Sequence, residues 1–319
     1  MIQALKMENW DEAENPAYDL QSSWREQPIV FECEGCRLVG IAAVPVKPVE
    51  TGVVIVVGGP QYRAGSHRQF TLLARHLASK NIASFRFDYR GMGDSEGGMR
   101  NFEVVDADIR AAIDTFLKQV PSVSKVVLWG LCDAASASLF YGHTDARVSG
   151  LILLNPWVHS DAGAAHVRLK YYYLNRFRQP SFWRKLLTGK VSTIASAKEI
   201  IGAIRQVVAK FTNTGLSKRE INQNSVEVDF IARMLYGFKS FEGKILIILS
   251  GQDATAKEFR HLVMSNSDWA RVSTSSRISF FYIPEANHTF SSIVWRQQVA
   301  MTIVDWIKKI EYQVKMGGL

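Results

Sequence analysis

The chain has 319 residues, 47% hydrophobic and 21% charged, with a net charge of +8 and three cysteines. That size supports one large core, or a core with a lid, in an ordinary soluble globular protein. Three cysteines exclude a disulfide framework and point to a reducing cytoplasm, no window approaches the roughly 20 apolar residues of a membrane span, and Met1 to Asp11 hold no signal-peptide run.

Residues 1–27 carry little pattern. From Pro28 the composition turns β-rich, and Ile29–Glu34 and Arg37–Val44 predict a hairpin with its turn at Glu34-Gly35. Cys33 and Cys36 have Cys-x-x-Cys spacing there. A zinc site would need a second pair of ligands at similar spacing, and the sequence has none, so both read as structural. Thr51 to Val57 is a continuous Val/Ile run, the mark of a central parallel strand buried on both faces. It runs into Gly58-Gly59-Pro60-Gln61-Tyr62-Arg63. A helix follows over Phe70–Ser79, a strand over Ile82–Phe87, and a glycine-rich turn over Asp88–Gly97. In that turn the glycines serve positive φ, and Asp94 and Ser95 are placed to cap the helix expected over Phe102–Leu117.

Lys125 to Ala137 is the stretch around which the rest is organised. An apolar strand ends at Gly130, and a helix of small residues begins just beyond Cys132. A nucleophile at such a strand-to-helix apex adopts strained backbone angles, which requires small residues two positions before and after it. Gly130 and Ala134 meet that requirement. The usual form is Gly-x-Ser-x-Gly, so cysteine stands here for serine and alanine for the second glycine. Val148–Leu154 is the next strand, ending at Asn155-Pro156-Trp157.

From Val158 to Ser240 the alternation stops. The segment reads as a helical, aromatic lid, and Arg168 to Glu220 holds twelve Lys/Arg against two Glu, more than the whole chain's excess. Such a run is a solvated face, an attractor for an anionic substrate, or a peripheral contact with an anionic membrane surface. No nucleic-acid-binding motif accompanies it. The sheet resumes at Lys244–Ser250, followed by Gly251-Gln252-Asp253-Ala254. The last strand, Ile278–Ile283, leads to Asn287-His288, and a closing helix spans Ser292–Ile310. Strands alternating with amphipathic helices specify an α/β protein with a mostly parallel sheet. In such sheets ligands bind beyond the carboxyl ends of the strands, where every motif above lies.

Cys132, then Asp253 after a late strand, then His288 supply nucleophile, acid and base in chain order. A thiol needs a base because the thiolate is the reactive form. His288 is the candidate base, and Asp253 would orient its imidazole, with Asp145 and Asp161 as weaker rivals. Together with Gly58-Gly59-Pro60 and the Asp88–Gly97 turn, this order resembles the α/β-hydrolase superfamily over about residues 28–157 and 240–310. The loop Gly58 to Arg68 beside a cysteine elbow further resembles the exosortase A system-associated hydrolase 1 family, encoded beside bacterial exopolysaccharide genes. The resemblance implies an α/β-hydrolase core over 1–157 and 241–319, with a helical, basic lid over 158–240. It also implies an oxyanion hole made by the Asp133 N–H and a loop N–H. Pro60 has no N–H to give, which leaves Gly59 or Gln61. Tyr62 and Arg63 border that loop as substrate contacts, the arginine suited to an anionic group. The expected reaction is cleavage of an ester, thioester or similar activated acyl bond through an acyl-cysteine, with no metal or cofactor. The substrate would be a small molecule or a lipid- or sugar-linked acyl compound. The alternatives are acyl transfer with the same residues, or a non-catalytic scaffold on membrane or polymer.

Overall fold

A computed structural model describes residues 24–59, 61–158 and 230–315. Pro60, Asp161, the basic run and most of the expected lid lie outside the described residues. The strands are β1 (Trp24–Cys33), β2 (Cys36–Pro45), β3 (Thr51–Val56), β4 (Ser84–Phe87), β5 (Lys125–Leu131), β6 (Val148–Leu154), β7 (Lys244–Ser250) and β8 (Ile278–Ile283). The helices are α1 (Gln69–Ser79), α2 (Asp106–Gln119), α3 (Asp133–Gly142), α4 (230–240), α5 (Ala254–Ser265), α6 (Ser267–Ser273) and α7 (Ile293–Lys315). The strands form a single sheet in the order β1-β2-β4-β3-β5-β6-β7-β8. β1–β2 and β2–β4 are antiparallel, and every pair from β4 to β8 is parallel. This is the α/β-hydrolase fold.

The continuous apolar runs follow from burial on both faces. Successive strand side chains point to opposite sides, so Val53, Ile55 and Val57 join the core under α1 and α7, with Phe70, Leu73, Ile303 and Ile307. Val54 and Val56 join the opposite core with Ile109 and Phe116 of α2 and Leu139 of α3. Each fully buried aliphatic or aromatic side chain of this kind contributes roughly 1.5–3 kcal/mol over its exposed state. At the hairpin, Glu34 and Gly35 both have positive φ (44° and 76°), the twist that a two-residue turn needs to pair Cys33 with Cys36.

Several features differ from the sequence expectation. Asp94 and Ser95 cap no helix: Ser95 Oγ donates to the Asp88 carbonyl (2.6 Å) and accepts the Val39 N–H (2.9 Å), tying the turn to β2. α2 starts only at Asp106, after a short 3₁₀ turn over Phe102–Val104. α5 and α6 fill the β7–β8 connection, where no helix was expected. Phe259 and Trp269 of these helices are the buried anchors, in edge-to-face contact at 6.0 Å. α4, within the span expected as lid, sends Phe230, Met234 and Phe238 into the main core.

Candidate active site

Cys132 sits between β5 and α3 with φ 62° and ψ −121°, a left-handed backbone outside the helical and extended regions. Its peptide is held on both sides: its N–H donates to Leu154 O (2.8 Å), and its carbonyl accepts from Trp157 N–H (3.2 Å). A Cβ at position 130 would lie 2.4 Å from Ala134 O, so only glycine lets the helix cross the strand end this closely. Ala134 is itself fully buried.

Asp253 caps α5, with Oδ2 accepting the Ala256 N–H at 3.0 Å. The same oxygen lies 3.0 Å from His288 Nδ1, and the carboxylate is nearly buried. The two loops are zipped together: Gly251 N–H donates to Ile283 O and Gln252 N–H to Ala286 O, both at 2.9 Å. Gly251 is required there, since a Cβ would come within 2.0 Å of Pro284 O. His288 Nδ1 pairs with Asp253, and the Asp253 and Cys132 side chains beside the imidazole push its pKa up to about 10 against the opposing effect of burial. The three residues expected from sequence to act together therefore meet. Asp145, the rival acid, is elsewhere: Arg147 and Tyr141 hold its carboxylate well below the usual range.

A charge on His288 has a stability consequence whose sign is fixed. The folded value of about 10 lies above the ordinary 6.5, so the contribution is complete below about 6.5 and disappears as pH rises through about 10. Urea midpoints of the wild type are expected to fall more between neutral pH and pH 10 than those of His288→Gln. Parallel midpoints in the two proteins would rule this out.

The loop after β3 departs from expectation at two residues. The Gly59 N–H, one of the two loop donors expected for an oxyanion, is given to Asp133 Oδ2 at 2.8 Å. Asp133 Oδ1 accepts from Ala134 N–H (2.9 Å), and burial pushes this carboxyl up from its ordinary range. A Cβ on Gly58 would lie 2.2 Å from Asp133 Oδ1, so the loop closes onto the elbow only because residue 58 is glycine. The Gln61 N–H has no hydrogen-bond partner among the described residues, and its side-chain Oε1 accepts from Ser66 N–H at 3.2 Å. Sequence gave no sign that the Asp133 carboxylate straps this loop; an acid directly after the nucleophile is the only trace.

Arg63 is the second correction. Its guanidinium pairs with the fully buried Asp88 and, at 2.6 Å, with Asp94, while its N–H donates to Asp88 Oδ1. Both ends of its fork are taken by the Asp88–Gly97 turn, so it clamps two loops and does not present a charge to substrate. Arg63→Ala is expected to cost about 1.5–3 kcal/mol in urea unfolding without changing preference between anionic and neutral esters. A selective loss on anionic esters would reverse that assignment. Tyr62, by contrast, is 52% exposed at the loop's edge.

The sequence model of the hydrolase family described as serine aminopeptidase, S33, matches residues 50–290. Among solved structures, the esterase Pf2001 of Pyrococcus furiosus is 12% identical at a TM-score of 0.59, with 90% of this chain and 93% of that one covered. A thermophilic esterase from Thermogutta terrifontis is 19% identical (TM-score 0.53; 89% and 99% covered), and Est1E from Butyrivibrio proteoclasticus is 15% identical (TM-score 0.55; 88% and 98%). At these identities the likeness is one of fold. No curated protein matches the chain.

Proposed function

The chain belongs to the hydrolase family described as serine aminopeptidase, S33, and from that premise we propose that it cleaves an activated acyl bond, an ester or thioester, with Cys132 as nucleophile. The observation that carries the reading is His288, paired through Nδ1 with Asp253 and standing beside Cys132, with both neighbours raising its pKa. Cysteine stands where the family's description has serine. With Nδ1 committed to Asp253, Nε2 is the nitrogen left to exchange a proton with the sulfur.

In the first half-reaction the Cys132 sulfur attacks the acyl carbon, and His288 holds the proton it gives up. The N–H groups of Asp133 and Gln61 receive the oxyanion. The tetrahedral intermediate collapses as His288 passes that proton to the departing alcohol or thiol, leaving an acyl-cysteine. In the second half-reaction His288 takes a proton from water, the hydroxide attacks the thioester, and the acid leaves as the sulfur is released and reprotonated. Activated acyl groups are favoured because an amine leaves less readily than a thiolate from such an intermediate. The Asp133 carboxylate keeps the Gly58-Gly59 loop against the elbow. The Gly58 to Arg68 loop beside a cysteine elbow supports a link to the exosortase-associated hydrolases, and hence to sugar- or lipid-linked acyl substrates in bacterial exopolysaccharide systems.

The test is a panel of p-nitrophenyl esters and acyl thioesters, with products analysed with and without an alcohol acceptor. Free acid, released at the same rate in both conditions and absent in Cys132→Ala, is the expected result. Acyl transfer to the acceptor at the expense of acid would replace hydrolysis with transfer.

A further inference from the structure

The geometry points to Asn155 as a positioning residue that ties the histidine loop and the acid-bearing strand to the nucleophile's support; this rests on the reading of Cys132 and His288 given above. Asn155 stands at the end of β6, fully buried, with φ 43°. Asparagine tolerates the left-handed region far better than most residues. Its backbone N–H donates to Ile248 O on β7 at 3.0 Å. Its side chain then reaches two further segments. Oδ1 accepts the Ser250 N–H at 2.9 Å, while Nδ2 donates to Ser250 Oγ at 2.5 Å and to the carbonyl of His288 at 3.0 Å. Because the Ser250 backbone N–H can only donate, it fixes which way the amide faces.

One amide thus links the residue three before Asp253 to the backbone of His288. Its neighbours Leu154 and Trp157 grip the Cys132 peptide from either side. The arrangement selects asparagine on three counts. Glycine would accept the backbone angle but has no amide. Aspartate would keep the acceptor for Ser250 N–H but would turn an oxygen toward the His288 carbonyl. Alanine would lose the amide and strain the backbone. None of the hydrogen bonds of Asn155 goes to the side chain of Cys132, Asp253 or His288, so its effect on the chemistry passes through where the imidazole sits.

The experiment follows alkylation of Cys132 by chloroacetamide against pH in the full-length chain, located by peptide mass spectrometry, beside kcat, KM and the melting temperature. The proteins compared are wild type, His288→Ala, Asn155→Gly and Asn155→Asp. Loss of the bond to the His288 carbonyl, one of the three the amide makes, predicts labelling at neutral pH about tenfold slower in Asn155→Gly, and kcat lowered by a similar factor with KM little changed. The pH at half-maximal labelling should move toward that of His288→Ala. Asn155→Asp should behave the same way, and it carries the test alone if the glycine variant does not fold. Folded Asn155 variants with a lower melting temperature but the wild-type labelling profile and kcat would overturn the proposal, because the amide would then serve stability only. If His288→Ala labels like the wild type, the underlying reading of Cys132 and His288 fails and takes this proposal with it. Slowed labelling in His288→Ala beside unchanged Asn155 variants defeats this proposal alone.

Discussion

Replacing Cys132 with alanine is expected to lower turnover of an activated ester by about 10⁴-fold or more, leaving the fold intact. The size of the effect follows from the site's division of labour. In the proposed mechanism, removing the sulfur removes the covalent intermediate and leaves His288 and Asp253 no proton to manage in the first step. What remains is binding and the oxyanion donors, which supply only a residual acceleration over water. The elbow tolerates the change sterically, because alanine removes one atom and keeps the Cβ. The left-handed backbone at position 132 is held by Leu154 and Trp157, not by the side chain. Cys132→Ser is a sharper probe. It restores a nucleophile of the kind the family's description names, yet removes the sulfur, one of the two neighbours that raise the His288 pKa. We expect it to fall well short of the wild type. Full activity in Cys132→Ala, with melting temperature unchanged, would remove the cysteine from the mechanism.

Asp108→Ala is expected to cost about 3–5 kcal/mol of stability, a fall of roughly 10 °C in melting temperature for a chain of this size. Asp108 and Arg90 are both essentially removed from solvent. The pair is bidentate, with Nε to Oδ1 at 2.9 Å and Nη2 to Oδ2 at 2.8 Å, and the Arg90 N–H adds a third bond to Oδ1. Truncating the carboxylate leaves a guanidinium in the core whose remaining partner is the exposed Glu34. The cost is that of a stranded charge more than of a lost attraction. The double variant Arg90→Met/Asp108→Leu should therefore recover much of the loss. Equal instability of single and double variants, by calorimetry, would mean that packing around the pair carries the effect.

These two effects mark what sequence reveals and what it hides. The elbow was legible because steric demand writes itself locally: a strand end, Gly130, an apex and Ala134 fall within five positions. The parallel strands were legible for a similar reason, since burial on both faces leaves no polar alternation. His288 and Asp253 were found through their place after late strands, although the distance that unites them spans loops whose zipping is a tertiary fact. Hydrogen-bond traffic among loops was not legible. Arg63 reads in sequence as a free cation beside a substrate loop, and only the fold brings Asp88 and Asp94 to it. Gly59 and Gln61 are equivalent until the Asp133 carboxylate claims one of their N–H groups. Asp108 looks like one more acid in a helix's first turn until Arg90 arrives from a different segment. The helices after Asp253 leave little trace in sequence because one aspartate serves both as the partner of His288 and as the cap of α5.

The most direct test of the central claim is to mix the protein with a p-nitrophenyl butyrate ester, quench in acid within the first turnovers, and map the peptides by mass spectrometry. The account predicts a butyryl group on Cys132, absent from Cys132→Ala and strongly reduced in His288→Ala. Steady release of butyrate by the wild type with Cys132 unmodified, or with the acyl group on another residue, would contradict it.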